Sequence, residues 1–215
     1  MLLVTDRTIF SLGLHEKLTA SLDAAGIQYS VFSDIALEPN LTIIDRGRDA
    51  LGECGADAII ALGGGAVMDS CKMIAAGGRP GRRSSASLLK KFLIVPKKTL
   101  PLITVPTTAG TGAEITVGAV VTNEKGRKGS TVIVGLDVRA VILDSALTLK
   151  APTGITCACG IDALSHGLEG VAAPVRVSPE DLQKSMECVK LVLQNLPVLR
   201  GNMNNLTQEM MLVNN

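Results

Sequence analysis

Along the first two thirds of the chain, short uninterrupted apolar runs alternate with stretches whose apolar positions recur every three or four residues. Leu2–Val4, ending in Thr5-Asp6, predicts a strand. Leu14, Leu18 and Leu22 share one face of a predicted helix over Phe10–Ala25, with Gly26 placed to end it. Ile27–Phe32 alternates weakly and predicts a second strand; after Pro39, Leu41–Cys54 predicts an amphipathic helix stopped by Gly55. Ala58–Leu62 is continuously apolar, as strands covered on both faces of a parallel sheet are, and it runs into Gly63-Gly64-Gly65 and a helix through Ala76. Residues 77–98 are polar, basic and predicted irregular. Leu102–Val105 predicts another buried strand ending at Pro106. Residues 117–122 and 131–134 predict paired strands around a turn at 123–129, and Ala140–Leu143 a strand ending at Asp144. After about residue 147 the pattern is helical to the end.

Strands alternating with helices predict an α/β fold with a doubly wound parallel sheet, and the change near residue 148 predicts a boundary with a helical domain. A net charge of +1 argues against nucleic acid as the main partner. No apolar run reaches the roughly 18 residues that cross a bilayer, and the start lacks the marks of a signal peptide, so no membrane partner is expected. Five cysteines without C-x-x-C spacing read as reduced, mostly buried thiols of a cytoplasmic protein. One Tyr, three Phe and no Trp leave little for stacking on bases.

Three stretches carry candidate chemistry. Gly63-Gly64-Gly65 sits between a buried strand and a helix, where backbone N–H groups and the helix dipole can hold an anion. It matches neither G-x-G-x-x-G nor the P-loop, and a plain tight turn explains it equally well. Pro106-Thr107-Thr108-Ala109-Gly110-Thr111-Gly112-Ala113-Glu114 also follows a strand, and its hydroxyls and glycines suit a diphosphate or a ribose. Thr111 and Glu114 alternatively form a capping box. The third stretch is Gly160–His166. Asp162 and His166 are four residues apart, so on a helix they project from one face and could share Zn²⁺ or Fe²⁺. His15, the other histidine, lies in a predicted surface helix, so only half a metal site is visible. Lys72, Arg79, Arg82, Arg83, Lys90, Lys91, Lys97 and Lys98 make an acid-free basic run from Ser70 to Ala113, read mainly as a solvated face.

In this order the pieces resemble the iron-containing, or group III, alcohol dehydrogenases. The matching stretches are Val4–Asp6, Ala24–Ile27, Ala61–Gly65 with Asp69 and Lys72, Ile103–Glu114, Leu143-Asp144, and Thr156 with Gly160–His166 and Glu169. The resemblance covers about residues 1 to 170. It implies a dehydroquinate synthase-like architecture: an NAD(P)-binding α/β domain over 1–147, incomplete at its start, and the beginning of a helical metal and substrate domain over 148–215, with the site in the cleft between. It further implies Gly64, Gly65 and Asp69 at the cofactor diphosphate, Thr107, Thr108 and Thr111 lining the cofactor loop, Lys128 contacting cofactor, and Asp162 and His166 as the first two metal ligands and catalytic residues.

The implied activity is a metal-dependent, NAD- or NADP-linked interconversion of a primary or secondary alcohol and its aldehyde or ketone. The metal would be Fe²⁺, with Zn²⁺ the other option, and the full-length form a homo-oligomer. Ala66 stands where the family usually has Ser. Ser33, with Asp34 beside it, stands where an acid often binds the adenosine ribose, so either dinucleotide remains open. The family is nearly twice as long. The leading strands of its sheet and two histidine ligands are expected to be missing here. The alternative reading is an inactive fragment or a dinucleotide-binding module of the same fold.

Overall fold

A computed structural model describes residues 1–78, 92–94, 99–123, 125–173 and 177–201. By its internal contacts the chain divides into two compact units: Met1–Pro106 with Ala113–Ile142, and Thr107–Gly112 with Leu143–Asn215.

The first unit carries a parallel sheet of β1 (Leu2–Asp6), β2 (Ser30–Ile35), β3 (Ile59–Gly63), β5 (Leu102–Pro106) and β8 (Val138–Val141), in the order β2-β1-β3-β5-β8. This is a doubly wound order with its switch point between β1 and β3, the place where such sheets take ligands at their carboxyl ends. All five residues of β3 are buried, as its unbroken apolar run predicts. β1 has a neighbour on each side from Leu2 onward, paired to Ser30 and to Ile59. Among the described residues the sheet's edges are therefore β2 and β8.

A smaller sheet, ordered β4-β7-β6, joins β4 (Phe92–Ile94), β6 (Gly118–Thr122) and β7 (Lys128–Val134). β6 and β7 form the expected antiparallel pair, Thr122 opposite Lys128. β4 lies in the segment predicted irregular and pairs in parallel with β7. Three residues are too few to show periodicity.

The helices follow their punctuation. α3 (Leu41–Glu53) is capped by the Asn40 side chain, which accepts from Ile43 N at 3.0 Å, and is closed by Gly55 at φ 63°. The single helix expected over 10–25 is broken into α1 (Arg7–Ser11) and α2 (Glu16–Ala24) by a turn at Gly13, φ 70°. α4 (Gly65–Gly77) buries Val67, Met68, Cys71, Met73 and Ile74. These pack in one core with Leu2, Val4, Ile44, Leu51, Ile59, Leu102 and Ile133. The last strand closes earlier than expected, at Val141, and Asp144 instead caps a 3₁₀ turn over Ser145–Leu147.

In the second unit α5 (Thr153–Ala172) packs along α6 (Pro179–Gly201). Glycines make the approach close: a Cβ at Gly160 would lie 2.6 Å from Leu196, at Gly167 2.9 Å from Val189, and at Gly170 2.3 Å from Ser185. Ile161 and Leu168 on α5, and Met186 and Leu193 on α6, remain exposed in the described chain.

Candidate functional site

The glycine turn lies at the carboxyl edge of the first sheet. β3 ends at Gly63, and Gly64 is the extended N-cap of α4 with no side-chain cap bond. The first N–H groups of α4 thus lack the acceptor that a Ser or Asp cap supplies. Gly63 has a separate reason to be glycine, because a Cβ there would sit 2.5 Å from Val67. The tight turn is thus formed at this loop, and its N-cap carries no side-chain acceptor.

Behind the loop, on the next turns of α4, lies a polar bolt. Lys72 is fully buried, and its ammonium reaches Asp69 Oδ1 at 3.0 Å, Thr116 Oγ1 at 3.1 Å and the Gly118 carbonyl at 2.6 Å. Its three N–H donors meet three acceptors. Asp69 Oδ2 accepts from Val120 N at 2.9 Å. Both carboxylate oxygens are engaged, so α4 is pinned to β6. Lys72 is therefore not part of a solvated basic face; the rest of that run, Arg79, Arg82, Arg83, Lys90, Lys91, Lys97 and Lys98, lies outside the described residues. Lys128, at the start of β7, is exposed and 3.6 Å from Glu38 Oε1.

The second unit brings the threonine loop onto α5. Thr107 is buried, and the Thr108 hydroxyl hydrogen-bonds the Cys159 thiol. Burial pushes that thiol up, Thr108 pulls it partly back, and the charge of Asp162 adds to the rise. At Gly110 the fit is closer still, since a Cβ would lie 2.1 Å from the Cys159 carbonyl oxygen. A cavity of about 10 Å³, lined by Thr108, Thr148, Thr156 and Cys159 among others, lies under the loop. No helix begins at Thr111, so the expected capping box is not formed; the Glu114 carbonyl instead accepts from Thr104 Oγ1 at 3.0 Å.

One turn beyond Cys159, Asp162 Oδ1 and His166 Nε2 stand 3.9 Å apart on one face of α5, each about half exposed. The pair is as its spacing predicts. Both atoms are open to a shared cation, and a carboxylate with an imidazole suits Fe²⁺ or Zn²⁺. They fit as half of a coordination shell. Among the described residues no group of three His, Cys, Asp or Glu gathers to complete one. His15 instead stacks on Phe10, ring centroids 4.2 Å apart.

The cysteines are less buried than expected. Only Cys71 is buried, Cys54 is exposed and the others lie between. Sequence reasoning also missed a cluster at the end of β2, where Arg7 and Arg46 both bind Asp34. Its members lie 27 and 12 residues from Asp34 and leave no local signal.

No helix of the described residues is long and apolar enough to cross a membrane. The sequence model of iron-containing alcohol dehydrogenases matches residues 1–145. Lactaldehyde reductase of Escherichia coli is 32% identical over 170 residues, which are 79% of this chain and 44% of that protein. The chain thus spans about half the length of the curated relatives it matches. Among solved structures, sulfoacetaldehyde reductase from Bifidobacterium kashiwanohense in complex with NAD⁺ superposes with a TM-score of 0.89 at 31% identity, covering 99% of this chain and 55% of that one. An alcohol dehydrogenase from Oenococcus oeni also superposes with a TM-score of 0.89, at 29% identity, over 99% of this chain and 56% of that one. The parallel sheet, its glycine turn, the threonine loop and the Asp162–His166 pair are thus features of a chain that belongs to the iron-containing alcohol dehydrogenase family.

Proposed function

We propose that this chain is the cofactor-binding part and the first metal-binding helix of a nicotinamide-dependent alcohol dehydrogenase. It would interconvert a small primary or secondary alcohol and its aldehyde or ketone. Residues 1–147 form the dinucleotide half and 148–215 begin the metal half. The observation that carries the reading is the Asp162–His166 pair on the same helix that holds the threonine loop through Cys159.

The free N–H groups at Gly64, Gly65 and the start of α4 receive the diphosphate. Asp69 contributes from behind, by fixing α4 against β6 through Lys72. Thr107, Thr108 and Thr111 offer hydroxyls to the nicotinamide ribose side, and Lys128 a charge to the phosphates. Asp162 and His166 hold a divalent cation, Fe²⁺ by family. When bound, such a cation lowers the pKa of a coordinated hydroxyl and polarises a carbonyl. The protein's own task is to hold the alcohol carbon against C4 of the nicotinamide while hydride passes.

Calorimetric titration of the purified chain with NADH and NADPH, with and without Zn²⁺ as a stable stand-in for Fe²⁺, tests this. Saturable dinucleotide binding, with a metal isotherm lost in His166→Ala, is expected. Dinucleotide binding with no metal isotherm points to the second reading, a dinucleotide module without the chemistry.

A further inference from the structure

One buried hydroxyl of the second unit meets no hydrogen-bond partner. Thr156, in the first turn of α5, is 8% exposed, and its Oγ1 is closed off from bulk solvent with no partner among the described residues. Its own N–H is taken by the Pro152 carbonyl at 3.0 Å. A hydroxyl left so is costly, and native proteins pair such groups with protein atoms or with ordered water.

Thr156 also lines the small cavity under the threonine loop, together with Thr108, Thr148 and Cys159. Its volume of about 10 Å³ is close to the space one water needs, and far too small for a phosphate or a sugar. A threonine hydroxyl carries one proton and two acceptor positions. Thr148 gives its proton to the Ser145 carbonyl at 2.7 Å, and Thr108 hydrogen-bonds the Cys159 sulfur, so both hydroxyls keep acceptor capacity. Thr156 keeps its proton. A water can therefore accept from Thr156 and donate to Thr148 and Thr108, three bonds in all, the usual number for a buried water. The place suits its oxygen. The N-cap of α5, Pro152, offers no side-chain acceptor, and the helix dipole at this end favours electron-rich atoms.

We propose that one ordered water fills this cavity and bridges Thr156 to Thr148 and Thr108, which makes Thr156 a positioning residue for the threonine loop. The loop is then seated on α5 by three links: the Thr108–Cys159 bond, the close contact at Gly110, and the water. One consequence rests on the cofactor reading above: Thr108 has a single acceptor position left for the dinucleotide, and so takes a donor such as a ribose hydroxyl rather than an anion.

The test compares Thr156→Val and Thr156→Ser with the wild-type chain, without dinucleotide. Valine keeps the shape and helix propensity of threonine but not the hydroxyl. Thr156→Val is expected to lower the melting temperature by about 2–4 °C. Amide hydrogen exchange over Thr107–Gly112 should quicken several-fold in Thr156→Val and stay at the wild-type rate in Thr156→Ser, which retains the oxygen. High-resolution density of the wild type should show one solvent peak about 2.7–3.0 Å from Thr156 Oγ1. Thr156→Val melting at or above wild type means a hydroxyl with no bond to lose, and overturns the proposal. Density without that peak does the same. A lower melting temperature with unchanged loop exchange keeps the water and overturns the positioning role. No readout contains a dinucleotide, so their failure leaves the cofactor reading standing, and the calorimetric titration decides that reading alone.

Discussion

Lys72 Nζ lies 3.0 Å from Asp69 Oδ1, and no part of the lysine side chain reaches solvent. Position alone suggests Asp69 as a cofactor contact, yet its bonds describe a brace. Removing it strands a buried ammonium. Asp69→Ala is therefore expected to lower unfolding free energy by about 3–5 kcal/mol. The double variant Asp69→Ala with Lys72→Met should cost clearly less than the two single changes added together. Urea melts of the four proteins decide this; strict additivity would remove the brace. Loss of dinucleotide binding in Asp69→Ala must be read beside such a melt.

Two glycines in close contacts of α5, Gly110 against it and Gly160 within it, should respond differently to one methyl group. At Gly110 an alanine Cβ meets backbone, 2.1 Å from the Cys159 carbonyl oxygen, which cannot step aside. Gly110→Ala should cost about 1–3 kcal/mol. At Gly160 the new Cβ meets a Leu196 methyl at 2.6 Å, the movable end of a side chain. Gly160→Ala also gains up to ~1 kcal/mol of helix propensity, so its net effect should lie near zero. Thermal melts of both variants compare the two directly.

Because Asp162 and His166 are half exposed, neither supports the fold. Asp162→Ala and His166→Ala should each change stability by less than about 0.5 kcal/mol. Each should abolish the Zn²⁺ isotherm. An unchanged isotherm in both variants would place metal binding elsewhere.

Asp34 gives stability a pH dependence. The Arg7 hydrogen bond foremost, with Arg46 adding to it, holds its carboxyl below the ordinary carboxylate value against the opposing effect of desolvation. Folding thus favours the ionised form. The contribution is complete above the unfolded pKa, near 4, and fades as pH falls through the lower folded value. The gap in melting temperature between wild type and Asp34→Asn should therefore narrow from pH 6 to pH 3. Being exposed, it should also narrow with salt.

Thiol reactivity should follow burial. Burial drives the Cys71 thiol far above its ordinary pKa, and Cys159 is shifted upward for the same first reason. Cys54 is exposed. Brief iodoacetamide treatment of the native chain at pH 8, read by peptide mass spectrometry, should label Cys54 first and leave Cys71 unmodified.

Much of the parallel sheet is legible in the chain because β3 and β5 are short, apolar and closed by Gly or Pro. The Gly26 and Gly55 stops are legible for a similar reason, since both lie at positive φ where other residues strain. The break between α1 and α2 carried a signal, Gly13, but the leucine spacing ran through it. β4 is invisible because only its pairing with β7 makes it a strand. At the site, Asp162 and His166 are readable because a helix turns their spacing into proximity. The Lys72 bolt and the Asp34 cluster are not, since apart from the neighbouring Asp69–Lys72 pair their partners come from residues 12 to 51 positions away.

The second unit draws its chain from two places, Thr107–Gly112 and Leu143 onward. The six-residue loop leaves the ribosome long before the helix that receives it. Until Cys159 emerges, the floor of Gly110 is solvent. The unit cannot be completed by local contacts, and its formation waits on closure of a loop some fifty residues long. A protease cut between Ile142 and Leu143 would likewise leave two connections across the division, because the chain crosses it three times. Separating the two halves by a single nick is therefore an operation this topology resists.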